Sequence, residues 1–512
     1  MTVGAVVLPA RCCGAKWHDA RMPALLTVTP GAFDYGCCIA YEDFAVPSAV
    51  FSLLRNGTLL SSILFLLLTV PCGMLSAGEQ RDFSWRQCSG QSLRIMLSRH
   101  PYADGIKRKI RDFEELTGIK VAYAMHPEDR YFGALDQALT STSGKPDVFM
   151  TGVYQVWEYA YQNRMLPLDP FILNPSLTRQ GYNINDFFPG IAGSFRWNRK
   201  AGAKLGDGPL WAIPIGFEAC AITYNREILA KHRLPVPSTM EEMLETGRAL
   251  NHFEGEGTYG IAARGIGEWN SVHSGYITAF VNYGAKDMEI ENGRLVSKVN
   301  SPEAVAVTEL WVTMLQECGA PDWEYYDWYR CLDDIGERKA ALLFDSDIVG
   351  YLANAPGASS QSGKLGLAPP PIPRDGDQNA IKSNLWVWGL SINPESRNHN
   401  AAWLFVQYFT SREFQAYSVL EWKSVNPPRR SVFEDPAFQN TIASMHGYSE
   451  TFSNIVENTT VYFTPNPYFF DISERWAAVI RDIANGMYSS TQEGMDTLKV
   501  WMDNKLANVS VE

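Results

Sequence analysis

The sequence predicts an α/β protein built as two lobes. Between residues 91 and 163, apolar runs of strand character alternate with segments of helical period, the pattern of βαβ units and a parallel sheet. The run PLWAIPIGFEACAITYN (209–225) is β-type throughout but too long for one ordinary strand. Pro214 and Gly216 lie in its middle, as expected of a chain leaving one lobe and entering another. A length of 512 residues also suits two or three cores better than one.

Taken in order, QSLRIMLS (91–98) reads as a buried strand. In DGIKRKIRDFEELTG, Ile106, Ile110, Phe113 and Leu116 share a helical face, Asp104 stands as N-cap and Gly118 stops the helix. IKVAYAM is a second strand, and DRYFGALDQALTST a second helix with Phe132, Leu135 and Leu139 aligned. KPDVFMTG is a third strand, entering the helix-like VYQVWEYAYQN. Ligands of such sheets gather beyond the carboxyl ends of strands, which here carry His100 and Tyr102 after the first and Tyr154 after the third.

After residue 225, helical and mixed segments lead to RKAALLFDSDIVGYL, then to a Gly/Ser-rich loop. The prolines of KLGLAPPPIPRDGD suit a connection. SNLWVWGLSI (383–392) follows, rich in β-formers. Trp386 and Trp388, two apart in an extended chain, point to the same face and must be covered by core or by ligand. NHNAAWLFVQYFTSREFQAY reads as an amphipathic helix, and the tail from Ser449 as mainly helical, with few breakers between Asp471 and Leu506.

The formal charge is −12. Residues 1–77 hold four Lys/Arg and four Asp/Glu, so the remainder carries all of it. An acidic body without a basic stripe lacks the cationic footprint that nucleic acid requires. The stretch LLRNGTLLSSILFLLLTVPCGMLSAGEQ has one cation, Arg55, a largely apolar run from Leu59 to Val70, and small residues ending at Ala77. That is the pattern of a secretory signal peptide, too short to span a bilayer comfortably. Residues 51–77 are assigned to it against the alternative of a buried core helix, and export to the periplasm follows. Lipid anchoring at Cys72 is disfavoured because Pro71 stands where a small residue is wanted. Residues 1–50 read as an extended or mis-assigned N-terminus. Cys88, Cys220, Cys318 and Cys331 follow Ala77. Cys318 and Cys331 are one candidate disulfide, with connectivity open, and no spacing resembles a zinc site.

The chain contains no HExxH, P-loop, G-x-S-x-G or Rossmann glycine pattern, and no cofactor or metal is implied. Among 56 Asp and Glu no glycosidase pair stands out. Weight therefore moves from enzyme to binding protein, with a secreted carbohydrate-active hydrolase using cleft carboxylates as the alternative.

Seven segments, in order, resemble one family: KPDVFMTGVYQVWEYAYQNRMLPLDPF, WAIPIGFEACAITYNREIL, YGIAARGIGEW, KAALLFDSDIVGYL, KLGLAPPPIP, LWVWGLSINPESRNHNAAWLFVQYFTS and EWKSVNPP. The family is the family 1 extracellular solute-binding proteins of ABC sugar importers, the maltose-binding-protein group, and within it the sorbitol/mannitol branch. The resemblance covers roughly residues 90 to 510. It implies a Venus-flytrap fold, with lobes of 90–217 plus 372–420 and 218–371 plus 421–512. It also implies a monomer that closes on a sugar or polyol and delivers it to permease subunits at the membrane.

A polyol asks for flat aromatic cover on its C–H faces and for charged or amide partners to its hydroxyls. At positions matching the branch stand Glu218 at the crossover, Arg264 and Trp269 in AARGIGEW, and Asp345 after ALLF. Trp422 in EWKSVNPP and Tyr154 are further expected contacts. Alternatives are core packing for the aromatic groups, a salt bridge for Arg264, and helix capping for Asp345 and, more strongly, Asp347. His100 and Tyr102 rest on strand-end geometry alone. Of the two tryptophans, Trp386 is expected to face the ligand and Trp388 the core. GIGEWNSVHSGY departs from the branch after its tryptophan, and Phe344 and Ser346 alter the flanks of Asp345, so ligand identity stays open.

Overall fold

The computed structural model describes residues 82–421 and 426–511. The signal-peptide segment, residues 1–50, Cys72 and Trp422 lie outside the described residues. Strands β1 (Ser92–Ser98), β2 (Lys120–His126) and β3 (Val148–Gly152) are parallel, in the order β2-β1-β3, with helices Pro101–Thr117 and Glu128–Thr140 between them. Strand β4 (Ile213–Asn225) follows, then β5 (Tyr259–Ala262), the small hairpin β6 (Met288–Glu291) and β7 (Arg294–Ser297), and β8 (Ala340–Ser346). The last are β9 (Leu365–Ala368), β10 (Ser383–Ile392) and β11 (Thr459–Thr460). The main sheet runs β2-β1-β3-β10-β4-β8-β5, with β9 against β4 and β11 against β10.

Two long strands join the two halves of this sheet. The first half of β4 pairs antiparallel with β10, from Ile213↔Leu390 to Ala219↔Leu385, and its second half pairs with β8 and β9. The long run in the sequence is thus a single strand of 13 residues shared by both halves. On its other edge β10 pairs with β3 through its second half, and its register with β4 shifts between Trp388 and Gly389.

Local chemistry explains several boundaries. The first helix begins at Pro101, earlier than the Asp104 cap expected from sequence. His100, with φ −149°, is the N-cap, and Pro101 fits the first helical position because its missing N–H would have no partner there. Gly118 ends the helix at φ +73°, as expected. Leu116, expected on the apolar face, is exposed. The predicted helix 398–417 is two helices, His399–Phe409 and Arg412–Leu420, because Ser411 Oγ accepts Phe414 N–H at 3.2 Å and starts a new one. The tail divides into Tyr448–Ile455, Phe469–Ala484 and Thr491–Leu506, with Ser490 capping the last. Cys88, Cys220, Cys318 and Cys331 are all buried free thiols, so the candidate pair Cys318–Cys331 does not form.

Candidate functional site

A cavity of about 430 Å³ opens between the two halves of the sheet. It lies beyond the carboxyl ends of parallel strands on both sides. His100 follows β1, and Glu128 and Asp129 follow β2. Arg264 follows β5, and Ile348 and Val349 follow β8. Two glycines of the crossing region give the wall its shape. A Cβ on Gly152 would lie 2.1 Å from Trp386 Cη2, and one on Gly216 2.2 Å from the Tyr102 ring, so both rings seat where only glycine leaves room.

Trp386 lines the cavity, while Trp388 is fully buried behind it. The indoles meet edge to face at 5.1 Å and 86°. Trp386 and Trp269 stand 5.4 Å apart at 37° and together form an aromatic wall. Trp388 stacks instead on Phe132 at 5.7 Å and 3°, with its Nε1 unpartnered.

The polar wall is centred on Glu218. Its Oε1 is 3.4 Å from His100 Nε2, and its Oε2 accepts the Ser346 hydroxyl at 2.9 Å. Arg264 also reaches the cavity, but its guanidinium forks onto Asp345, with Nε–Oδ2 at 2.7 Å and Nη2–Oδ1 at 2.6 Å. Arg264 Nη1 donates to the Asn270 carbonyl at 3.1 Å and lies 3.1 Å from His273 Nε2. An arginine only donates, so His273 Nε2 accepts and Nδ1 carries the proton. Burial, then the adjacent guanidinium, push His273 well below the usual imidazole range, so it is neutral. Burial works against the charge on Arg264, but the Asp345 carboxylate outweighs it and raises the guanidinium pKa.

Several residues expected at a ligand stand one layer back. Asp345 is absent from the cavity wall, because both its oxygens are occupied by Arg264 and Oδ1 also accepts the Ser346 N–H at 2.6 Å. Asp347 does not cap through its side chain. Its Oδ1 accepts the Ala219 N–H of β4 at 3.0 Å and its Oδ2 the Asn426 amide at 2.7 Å, and burial pushes it up to about 7. Tyr102 donates to the Phe217 carbonyl at 3.0 Å and stacks beneath His100 at 4.8 Å. Tyr154 is fully buried, 5.4 Å behind Trp386, and accepts the Asn384 amide at 2.9 Å.

Other lining groups escaped sequence reasoning: Asp129, Phe132, Glu268, Asn270, His273 and Asp327 among them. Glu128 and Asp129 follow a strand end just as His100 does, so the same rule would have found them. Trp328 and Tyr329 carry no such signal. They open a helix (Trp328–Gly336) with ring centroids 3.8 Å apart and tilted by 30°, and Tyr329 donates to Glu128 Oε2 across the cavity at 3.1 Å. Burial pushes both Glu128 and Glu268 upward, and Asp327 adds to the shift of Glu268.

The cavity, its indole wall and its carboxylates match the chemistry of a hydroxyl-rich ligand. The profile of the bacterial extracellular solute-binding proteins matches residues 100–416. An erythritol/L-threitol-binding protein of Mycolicibacterium smegmatis is 36% identical over 405 residues, covering 79% of this chain and 84% of that protein. Two solved ABC transporter solute-binding proteins share the two-lobe fold. One is from Agrobacterium vitis with bound D-mannitol, at TM-score 0.67 and 18% identity, covering 81% of this chain and 98% of that one. The other, from Agrobacterium radiobacter with ribitol, has the same TM-score and identity and covers 81% and 99%. The chain belongs to the bacterial extracellular solute-binding protein family.

Proposed function

We propose that this protein captures a small sugar alcohol in the cavity between its lobes, without altering it chemically, and hands it to the permease of an ABC importer. The observation that carries the reading is a cavity lined by Trp386 and Trp269 together with carboxylate acceptors around Glu218. Indole faces cover C–H groups while carboxylates accept hydroxyl protons, and a polyol presents both. The relative that binds erythritol and L-threitol, and the fold neighbours bound to D-mannitol and ribitol, support the same class. Glu218, Trp269, Trp386 and His100 are assigned to the ligand, with Arg264 offering at most its one uncommitted N–H, and Asp345, Tyr102 and Tyr154 to holding those groups in place. The lobes are taken as 90–217 plus 372–420 and 218–371 plus 421–512, working as a monomer in the periplasm after a cut behind Ala77.

A thermal-shift screen of tetritols, pentitols, hexitols and small sugars tests the reading. A ligand at a hundredfold its Kd adds about 2.7 kcal/mol to stability. A shift confined to polyols or sugars, with no product released, supports it. No shift with any of them, together with hydrolysis of glycosides, overturns it.

A further inference from the structure

We propose that the cavity sorts polyols by charge, admitting neutral and ammonium-bearing ones and rejecting those that carry a carboxylate or phosphate. This rests on the polyol reading and names the part of that ligand class the site accepts.

The walls carry more carboxylates than cations. Five carboxylates line the cavity: Glu128, Asp129, Glu218, Glu268 and Asp327. His100 lies 3.4 Å from Glu218, Arg130 pairs with Asp129 at 3.5 Å, and the lining cation, Arg264, is already committed. Two of its five N–H groups go to Asp345, one to the Asn270 carbonyl and one to His273 Nε2, and Asp345 cancels its charge. His273 is neutral. The carboxylates also repel one another, as the upward pressure of Asp327 on Glu268 records. An entering anion would add to that repulsion, most strongly beside Glu218, whose side chain is 11% exposed, and less at the exposed Asp129 and Glu268.

The carboxylates ask for donors. A hydroxyl donates as well as accepts, so a polyol meets that demand. An ammonium group supplies donors and positive charge. A carboxylate supplies acceptors only, where the walls already have an excess.

The test is isothermal titration of the mature protein with three matched ligands of one chain length: the alditol, its aldonate, and the 1-amino-1-deoxy alditol. The series is run with the tetritol, pentitol and hexitol skeletons, at low and at high salt. For whichever skeleton binds, the aldonate is expected to be at least thirtyfold weaker than the alditol, and the amine at least as tight. Salt should narrow the gap only where the wall is open to solvent. The paired change E268Q/D327N should narrow it at least threefold while the alditol still binds. An aldonate binding within thirtyfold of its alditol overturns charge sorting and leaves the polyol reading standing, as does an amine weaker than its alditol or an unchanged gap in E268Q/D327N. Failure of every alditol to bind overturns the polyol reading itself.

Discussion

Breaking the Arg264–Asp345 pair one side at a time tests whether it is structural rather than a ligand contact. The side chains are 4% and 0% exposed and joined by two charge-assisted bonds of 2.7 and 2.6 Å. Asp345→Leu leaves a buried guanidinium without its counter-charge, and Arg264→Met leaves a buried carboxylate in the same position. Each should cost about 3–5 kcal/mol, the range for removing one partner of a buried pair. Asp345→Leu should cost slightly more, because the Ser346 N–H also loses its acceptor. The double variant removes both charges at once, so its cost should fall below the sum of the singles by about 3 kcal/mol or more. Urea unfolding of the four proteins without ligand measures this directly. A coupling below about 1 kcal/mol would refute the reasoning and return Asp345 to the ligand.

Four further outcomes follow from the geometry. Trp386→Ala should weaken polyol binding at least tenfold by titration, whereas Trp388→Phe should lower the unfolding midpoint and leave affinity within about threefold. Gly152→Ala places a Cβ 2.1 Å from the Trp386 indole, so it should displace that ring, change intrinsic fluorescence and weaken binding. Tyr329→Phe removes the hydroxyl that reaches Glu128, worth about 1 kcal/mol, so stopped-flow release of ligand should quicken about fivefold while association holds. Asp347 has a folded-state pKa raised to about 7 from 3.8, so the folded form holds the extra proton between those values. Its contribution to stability is complete below about pH 4 and falls as pH rises to about 7, close to tenfold in the folding constant per pH unit, then levels off. The difference in urea stability between wild type and Asp347→Asn should follow that slope, and a flat difference would remove Asp347 from the account.

The fold was legible because its alternation of strand and helix is local. β1 to β3 and their helices fall where apolar period and capping glycine put them, and the 209–225 run announced a crossing by its length alone. What stayed hidden depends on contacts between distant segments. Asp345 is a plausible ligand group until Arg264, remote in sequence, is seen to take both its oxygens. Tyr154 looks like a cap until Trp386 is found in front of it. Trp328 and Tyr329 sit in a segment without motif, brought to the cavity only by the packing of the helix they begin. The two tryptophans of β10 show the boundary well. Alternation placed both on one face, and only the position of the cavity mouth distinguishes the indole that lines it from the one that does not.

Trp386 and Glu218 are direct register partners across β10 and β4, the two strands shared by both halves of the sheet. In the hinge closure proposed for binding, these two strands would serve as the pivot, where points travel least. The indole face and the carboxylate would then keep their spacing in an open form, while Arg264 and Trp269 on one side and Glu128 on the other would move away. A polyol arriving from solvent would find a landing platform already assembled on the pivot, and its capture would proceed outward from there, the remaining groups arriving as the jaws meet.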